Sequence, residues 1–139
     1  MQKEILTHLG SNKTDYKYDK PDAGLLECFA SPFAAEGTGY VEITAPEFTS
    51  LCPITGQPDF ATIFVAYSPN KKCVESKSFK LYLGSFRQFG EFHESCVARI
   101  HADLLHLLEP RSLKVIGKFA PRGGIAFHPS VTWWQPCLP

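Results

Sequence analysis

The stretch Ser78–Pro110, SFKLYLGSFRQFGEFHESCVARIHADLLHLLEP, decides the fold. Phe79, Tyr82, Leu83 and Phe86 fall at i, i+3, i+4 and i+7, the spacing of one apolar helix face. Gly90 interrupts that pattern. A second, longer helix starts about Glu91 and carries Phe92, Cys96, Ile100, Leu104, Leu107 and Leu108 on its core side. Pro110 ends it, because proline cannot continue the hydrogen-bond ladder.

Outward from these helices the pattern changes to short strands. Leu25–Ala30 is apolar, and in Tyr40–Ala45 Val41 and Ile43 alternate with Glu42 and Thr44; a Ser-Pro and Gly-rich turn separates the two. Residues 46–60 contain Pro46, Pro53, Gly56 and Pro58 and read as a loop. Ala61–Tyr67 is β-branched and aromatic, hence a strand. A turn at Ser68-Pro69-Asn70 leads to another through Cys73-Val74. Downstream, Ser112–Ala120 and Gly124–Phe127 read as closing strands around Pro121-Arg122-Gly123-Gly124. Runs of strands with two helices between them predict an α+β fold, an antiparallel sheet with both helices on one face. Residues 1–22 read as a polar lead-in and 130–139 as a tail, which leaves one domain over 1–139.

Composition narrows the function. With 44% hydrophobic and 20% charged residues, intrinsic disorder is disfavoured. Lys plus Arg equals Asp plus Glu at 14 each, so a large phosphate-tracking surface for nucleic acid is disfavoured, while a small polar substrate fits. The N-terminal stretch has no apolar run of a secretory signal, and Ile63–Tyr67 is too short to span a bilayer. Five cysteines, an odd number without a CxxC pair, read as reduced thiols of a cytoplasmic protein. No GxGxxG opens a βαβ unit and no P-loop occurs, so neither common nucleotide fingerprint is present.

Among the cysteines, Cys52 alone sits in a proline-fixed loop, a favourable place to present a thiol. Asp59, in the same loop, could fold back toward the sulfur and exchange a proton with it. A space-filling buried thiol is the commoner use of cysteine. Cys28, Cys73, Cys96 and Cys137 read as structural. His93 and Glu94 open the long helix, where a carboxylate complements the helix dipole or, with the imidazole, projects into a cleft. His93 and Cys96 form H-x-x-C without a second ligand pair, so no metal is expected. Lys77, Lys80 and Arg87 share one side of the first helix, and Arg122 in Pro-Arg-Gly-Gly adds a further cation; such a stripe either binds phosphate or is a solvated face.

Glu75-Ser76-Lys77-Ser78-Phe79-Lys80-Leu81-Tyr82 matches, at all eight positions, the signature of the 7-cyano-7-deazaguanine reductase family (QueF, the nitrile reductases of queuosine biosynthesis). The loop from Phe48 to Asp59, Gly90-Glu91-Phe92-His93-Glu94 and Pro121-Arg122-Gly123-Gly124 resemble that family in the same order, so the resemblance runs from about Tyr40 to Gly124. It implies the short form of the family and the tunnelling fold: a four-stranded antiparallel sheet with two helices on one face, assembled into ring-like barrels with sites between subunits. It also implies reduction of the nitrile of 7-cyano-7-deazaguanine to a primary amine by two NADPH, through a covalent thioimide. By the same resemblance Cys52 is the nucleophile, Asp59 the general acid/base and His93 its assistant. Glu94, Glu75, Ser76, Val74 and Phe92 bind the deazaguanine, and Lys77, Lys80, Arg122 and Gly123 bind the cofactor. The expected partners are a small deazapurine and further copies of the chain, without direct nucleic-acid or membrane contact. Two alternatives stay open: an amidinotransferase-like relative that uses the same thioimide, and a non-catalytic purine-binding oligomer.

Overall fold

Alternation of side chains about a bulge builds the central sheet. The computed structural model describes residues 14–33 and 38–137. Its strands are β1 (Cys28–Ala30), β2 (Val41–Leu51), β3 (Pro58–Ser68), β4 (Lys72–Val74), β5 (Ser112–Phe119) and β6 (Ser130–Trp134); its helices are α1 (Ser76–Gly84) and α2 (His93–Leu108). β2, β3, β5 and β6 form, in that order, a four-stranded antiparallel sheet, and β1 pairs with β4 in a small second one. The α+β architecture with two helices over an antiparallel sheet is as expected.

Two expectations fail for physical reasons. The region 46–60 is mostly strand: β2 runs on to Leu51 and β3 begins at Pro58, so the loop shrinks to six residues. Register passes from Ala45 opposite Ile63 to Phe48 opposite Ala61, a bulge of one extra residue on β2. That bulge is where a strand tolerates Pro46. The final strand is also not Gly124–Phe127. The chain turns there, and β6 lies in the tail, pairing Val131 with Val115 and Trp133 with Leu113. At the start, part of the polar lead-in is fixed, since the Gln88 amide donates to the Tyr18 carbonyl at 2.7 Å.

Inward-facing residues of β3 (Ala61, Ile63, Val65, Tyr67) and β5 (Leu113, Val115, Phe119) meet Phe79, Tyr82 and Phe86 of the α1 region and Cys96, Val97, Ile100, Leu104 and Leu108 of α2. Each large apolar side chain so buried contributes roughly 1.5–3 kcal/mol. Gly117 permits α2 to lie close, because a Cβ there would meet Val97 Cγ2 at 2.7 Å. The helical spacing puts Phe92 on this apolar side, but α2 begins one residue later and Phe92 is 58% exposed. Glu75 caps α1, its carboxylate accepting from the Lys77 and Ser78 amides at 2.8 and 2.7 Å, which starts the helix at Ser76, before the apolar spacing begins at Phe79. No helix among the described residues is long and apolar enough to cross a membrane.

Candidate active site

The end of β2, the start of β3 and the start of α2 converge on one cavity of about 270 Å³. Leu51 ties them together. Its amide donates to the Phe89 carbonyl and its carbonyl accepts from the Glu91 amide, both at 3.0 Å. Gly90 makes room for this, since a Cβ there would lie 3.1 Å from Pro53 Cα.

Beyond Leu51 the chain folds into a tight turn. The Cys52 amide donates to the Gln57 carbonyl at 2.8 Å, the Gly56 amide donates to the Cys52 carbonyl at 3.0 Å, and Gly56 takes a φ of 71° that favours glycine. Within the turn the Cys52 sulfur is met by the Thr55 hydroxyl and amide, by the Ile54 amide and by the Arg122 side chain. These donors favour the anion and lower the thiol to about 6.

Asp59 does not share that loop. It is the second residue of β3, on the face that also carries Ala61 and Ile63, so strand alternation points it under α2 and leaves it 5% exposed. Its Oδ2 lies 3.2 Å from His93 Nε2, and its Oδ1 is in contact with Arg122 Nη2. The His93 ring is held in place by stacking on Phe119, with centroids 3.9 Å apart and planes 9° apart.

The resemblance assigns Arg122 to the cofactor; within the single chain it faces Cys52 and Asp59. Its aim comes from a two-residue turn. The Arg122 and Ile125 amides and carbonyls bond reciprocally at 3.0 Å, and Gly123 and Gly124 between them have φ of 57° and 77°. Positive φ at both central residues is the requirement of a type I′ turn, which glycine meets without strain. Gly123 thus shapes the loop that carries Arg122.

The structure brings Cys52, Asp59, Phe92, His93, Glu94 and Arg122 onto one cavity. It does not bring Val74, Glu75, Ser76, Lys77 or Lys80 there. Ser76 and Lys80 border a second groove of about 460 Å³ between α1 and β2, together with Arg87, Tyr16 and Tyr18. Val74 is buried at the end of β4, where its amide donates to the Tyr67 hydroxyl at 3.1 Å. Thr55 and Phe119 were missed. A hydroxyl three residues after a Cys-Pro is a readable turn donor for Thr55, whereas only the fold puts Phe119 under His93.

The sequence profile of the QueF-like protein family matches residues 58–136. The chain belongs to that family. It is 53% identical over 137 residues to an NADPH-dependent 7-cyano-7-deazaguanine reductase of Streptococcus mutans, covering 97% of this chain and 83% of the relative. It is 52% identical over 135 residues to a protein of the same name from Bacillus licheniformis, covering 96% of this chain and 79% of the relative. Among solved structures, the archaeosine synthase QueF-Like in its apo form superposes with a TM-score of 0.66 at 20% identity, over 73% of this chain and all of that one. The α+β fold is therefore of the tunnelling type.

Proposed function

We propose that this protein reduces the nitrile of 7-cyano-7-deazaguanine to the primary amine with NADPH, through a covalent thioimide on Cys52. The reading rests on the relatives' names and on one observation: an ionisable thiol and a His93–Asp59 pair facing the same cavity. A nitrile is a poor hydride acceptor, and a thioimide is a better one, so a cysteine divides a hard step into easier ones. The sulfur pair forms the C–S bond, one π pair of the nitrile moves to nitrogen, and nitrogen takes a proton. Glu94, exposed at the cavity in one chain, accepts the ring N–H and exocyclic amine of the base together. Phe92 offers a flat apolar face beside it.

The second groove fits a dinucleotide. Lys80 and Arg87 offer cations for phosphate, with Ser76 as a hydroxyl donor, and Tyr16 and Tyr18 offer aromatic faces. Lys77 follows Ser76 on the same helix turn. Two NADPH molecules held there in turn would each supply one hydride per nitrile, and two protons complete the balance to the amine. Because this groove and the Cys52 cavity are separate within one chain, a second copy completes the site by presenting the start of its α1, Ser76 at the surface and Glu75 buried behind it as the cap, to the cavity of the first. Exposed Phe92, Ile125, Phe127 and Trp134 favour such a covered surface, and a ring of copies pairs the sheet edges β2 and β6. The product belongs to queuosine biosynthesis in the cytoplasm.

The test is NADPH consumption with 7-cyano-7-deazaguanine, read together with the intact mass of protein given the nitrile alone. Reduction together with a substrate-mass adduct on Cys52 supports the reading. Amidine formation from ammonia without NADPH use replaces it with the amidinotransferase alternative, and binding without an adduct replaces it with the non-catalytic one.

A further inference from the structure

The cavity holds two groups that could take the cysteine proton, and the geometry separates their tasks. We propose that the Cys52–Gln57 turn is a self-contained thiolate cradle, in which Thr55 is a catalytic residue that holds the sulfur as the anion, so that the Asp59–His93 pair serves the substrate nitrogen alone. The second half rests on the nitrile reading above; the first does not.

Three observations carry the cradle. The turn closes on itself through the Cys52–Gln57 and Gly56–Cys52 backbone bonds, so its donors are in place before any substrate arrives. The Gln57 backbone amide donates to Thr55 Oγ1 at 3.3 Å, which engages one acceptor lone pair of that hydroxyl and leaves its O–H free to donate. Both oxygens of Asp59 are already engaged, Oδ2 with His93 and Oδ1 with Arg122. Successive backbone amides turned toward one point form an anion-binding nest, here completed by a hydroxyl.

The titratable and charged groups lining the cavity come from every neighbouring element: Arg122 from the turn after β5, Asp59 from β3, Glu91, paired with Arg99, from the link before α2, and His93 and Glu94 from the start of α2. Burial opposes a thiolate, and the hydrogen-bond donors of the turn, the Thr55 hydroxyl first, outweigh it. A thiolate already formed adds its pair to the nitrile carbon and needs no base. The nitrogen receives its proton from the Asp59–His93 pair. When the tetrahedral adduct later collapses, the nitrogen lone pair forms C=N and the C–S pair returns to sulfur, where the same donors receive it.

The test is the rate of Cys52 alkylation by iodoacetamide as a function of pH, in the full chain, with the modified peptide identified by mass. Thr55→Val moves the midpoint up by about one pH unit, so the rate near pH 6 falls about fivefold while the alkaline plateau stays within about twofold. Thr55→Ser restores the wild-type midpoint, and Asp59→Asn does not raise it. Circular dichroism confirms folding, and Thr55→Ala carries the same comparison should the valine variant not fold. An unmoved midpoint in the hydroxyl-free variant, or a rise in Asp59→Asn matching that of Thr55→Val, overturns the cradle. If the midpoints behave as expected but the nitrile alone leaves no adduct on Cys52, the nitrogen half fails and the cradle stands.

Discussion

Cys52 and Cys96 are two thiols at the same end of the molecule, and their surroundings push them in opposite directions. Cys52 lies in an open turn among hydrogen-bond donors and is lowered to about 6. Cys96, one turn into α2, is fully buried with a single weak partner, Ser50 Oγ at 3.9 Å, and burial pushes it up to about 12. Nothing in the side chains differs. The difference is that a thiolate without water needs fixed dipoles to replace it, and only the Cys52 turn supplies them. In the function proposed above, Cys52 reacts and Cys96 fills space.

The largest break in that comparison is removal of the reactive thiol. Cys52→Ala abolishes turnover and the nitrile adduct while the protein stays folded, as seen by intact mass and circular dichroism. An active alanine variant takes the nucleophile away from Cys52. The same residue gives a pH signature. Its folded thiol ionises below an unfolded one, so its contribution to stability is complete above the unfolded value near 8.5 and fades as pH falls through about 6. Alkylation of Cys52 follows the thiolate, with half its plateau rate at about pH 6.

Asp59→Asn comes next. The amide keeps the shape and the contact to His93 but exchanges no proton, and general acid/base work is worth about 10²–10⁴-fold. Reduction falls by that order, measured as kcat. An unchanged rate across pH moves the proton transfer to His93 itself.

Much of this site was legible and part was not, for reasons that lie in particular residues. Phe79, Tyr82, Leu83 and Phe86 announced α1 because an amphipathic face is written at a fixed spacing. Cys52 stood out because prolines isolate it from any apolar run. Pro46 misled, since whether a proline breaks a strand depends on the partner's register, and that is set by β3. Asp59 was placed in the wrong element for the same reason, and its neighbourhood with His93 comes from strand phase rather than from the shared loop. β6 was missed because Ser-Val-Thr-Trp-Trp sits between prolines with alternate residues exposed, and only pairing with β5 makes it a strand. The aim of Arg122 depends on a two-glycine turn whose direction no spacing records.

A smaller effect separates the two cavities. Glu94→Leu weakens binding of the deazaguanine by tens- to thousandfold, because two ligand donors lose their acceptor at about 1–3 kcal/mol each, and leaves the NADPH KM near its wild-type value. Lys80→Ala does the reverse: it raises the NADPH KM, reduces its salt dependence and spares the nitrile adduct. If Glu94→Leu instead weakens NADPH and leaves the adduct unaltered, Glu94 is only a favourable charge at a helix N-terminus.

The smallest effect tests the other member of the pair. Cys96→Ala removes one buried sulfur from a closely packed site, at a cost of about 1 kcal/mol, or about 3–5 °C in Tm for a chain of this size. Its pH dependence runs opposite to that of Cys52. A thiol raised by burial stays protonated in the folded protein while the unfolded chain ionises near 8.5, so its contribution is complete below that value and is lost as pH rises toward about 12. The Tm gap between wild type and Cys96→Ala is therefore constant through neutral pH and narrows above about pH 9. Turnover by Cys96→Ala near neutral pH stays within about twofold of wild type, since a space-filling thiol takes no part in proton or carbon chemistry. A gap that stays constant into alkaline pH, or a loss of turnover without a loss of Tm, means that Cys96 is ionised or used in the folded protein and that the two thiols are not divided as the geometry divides them.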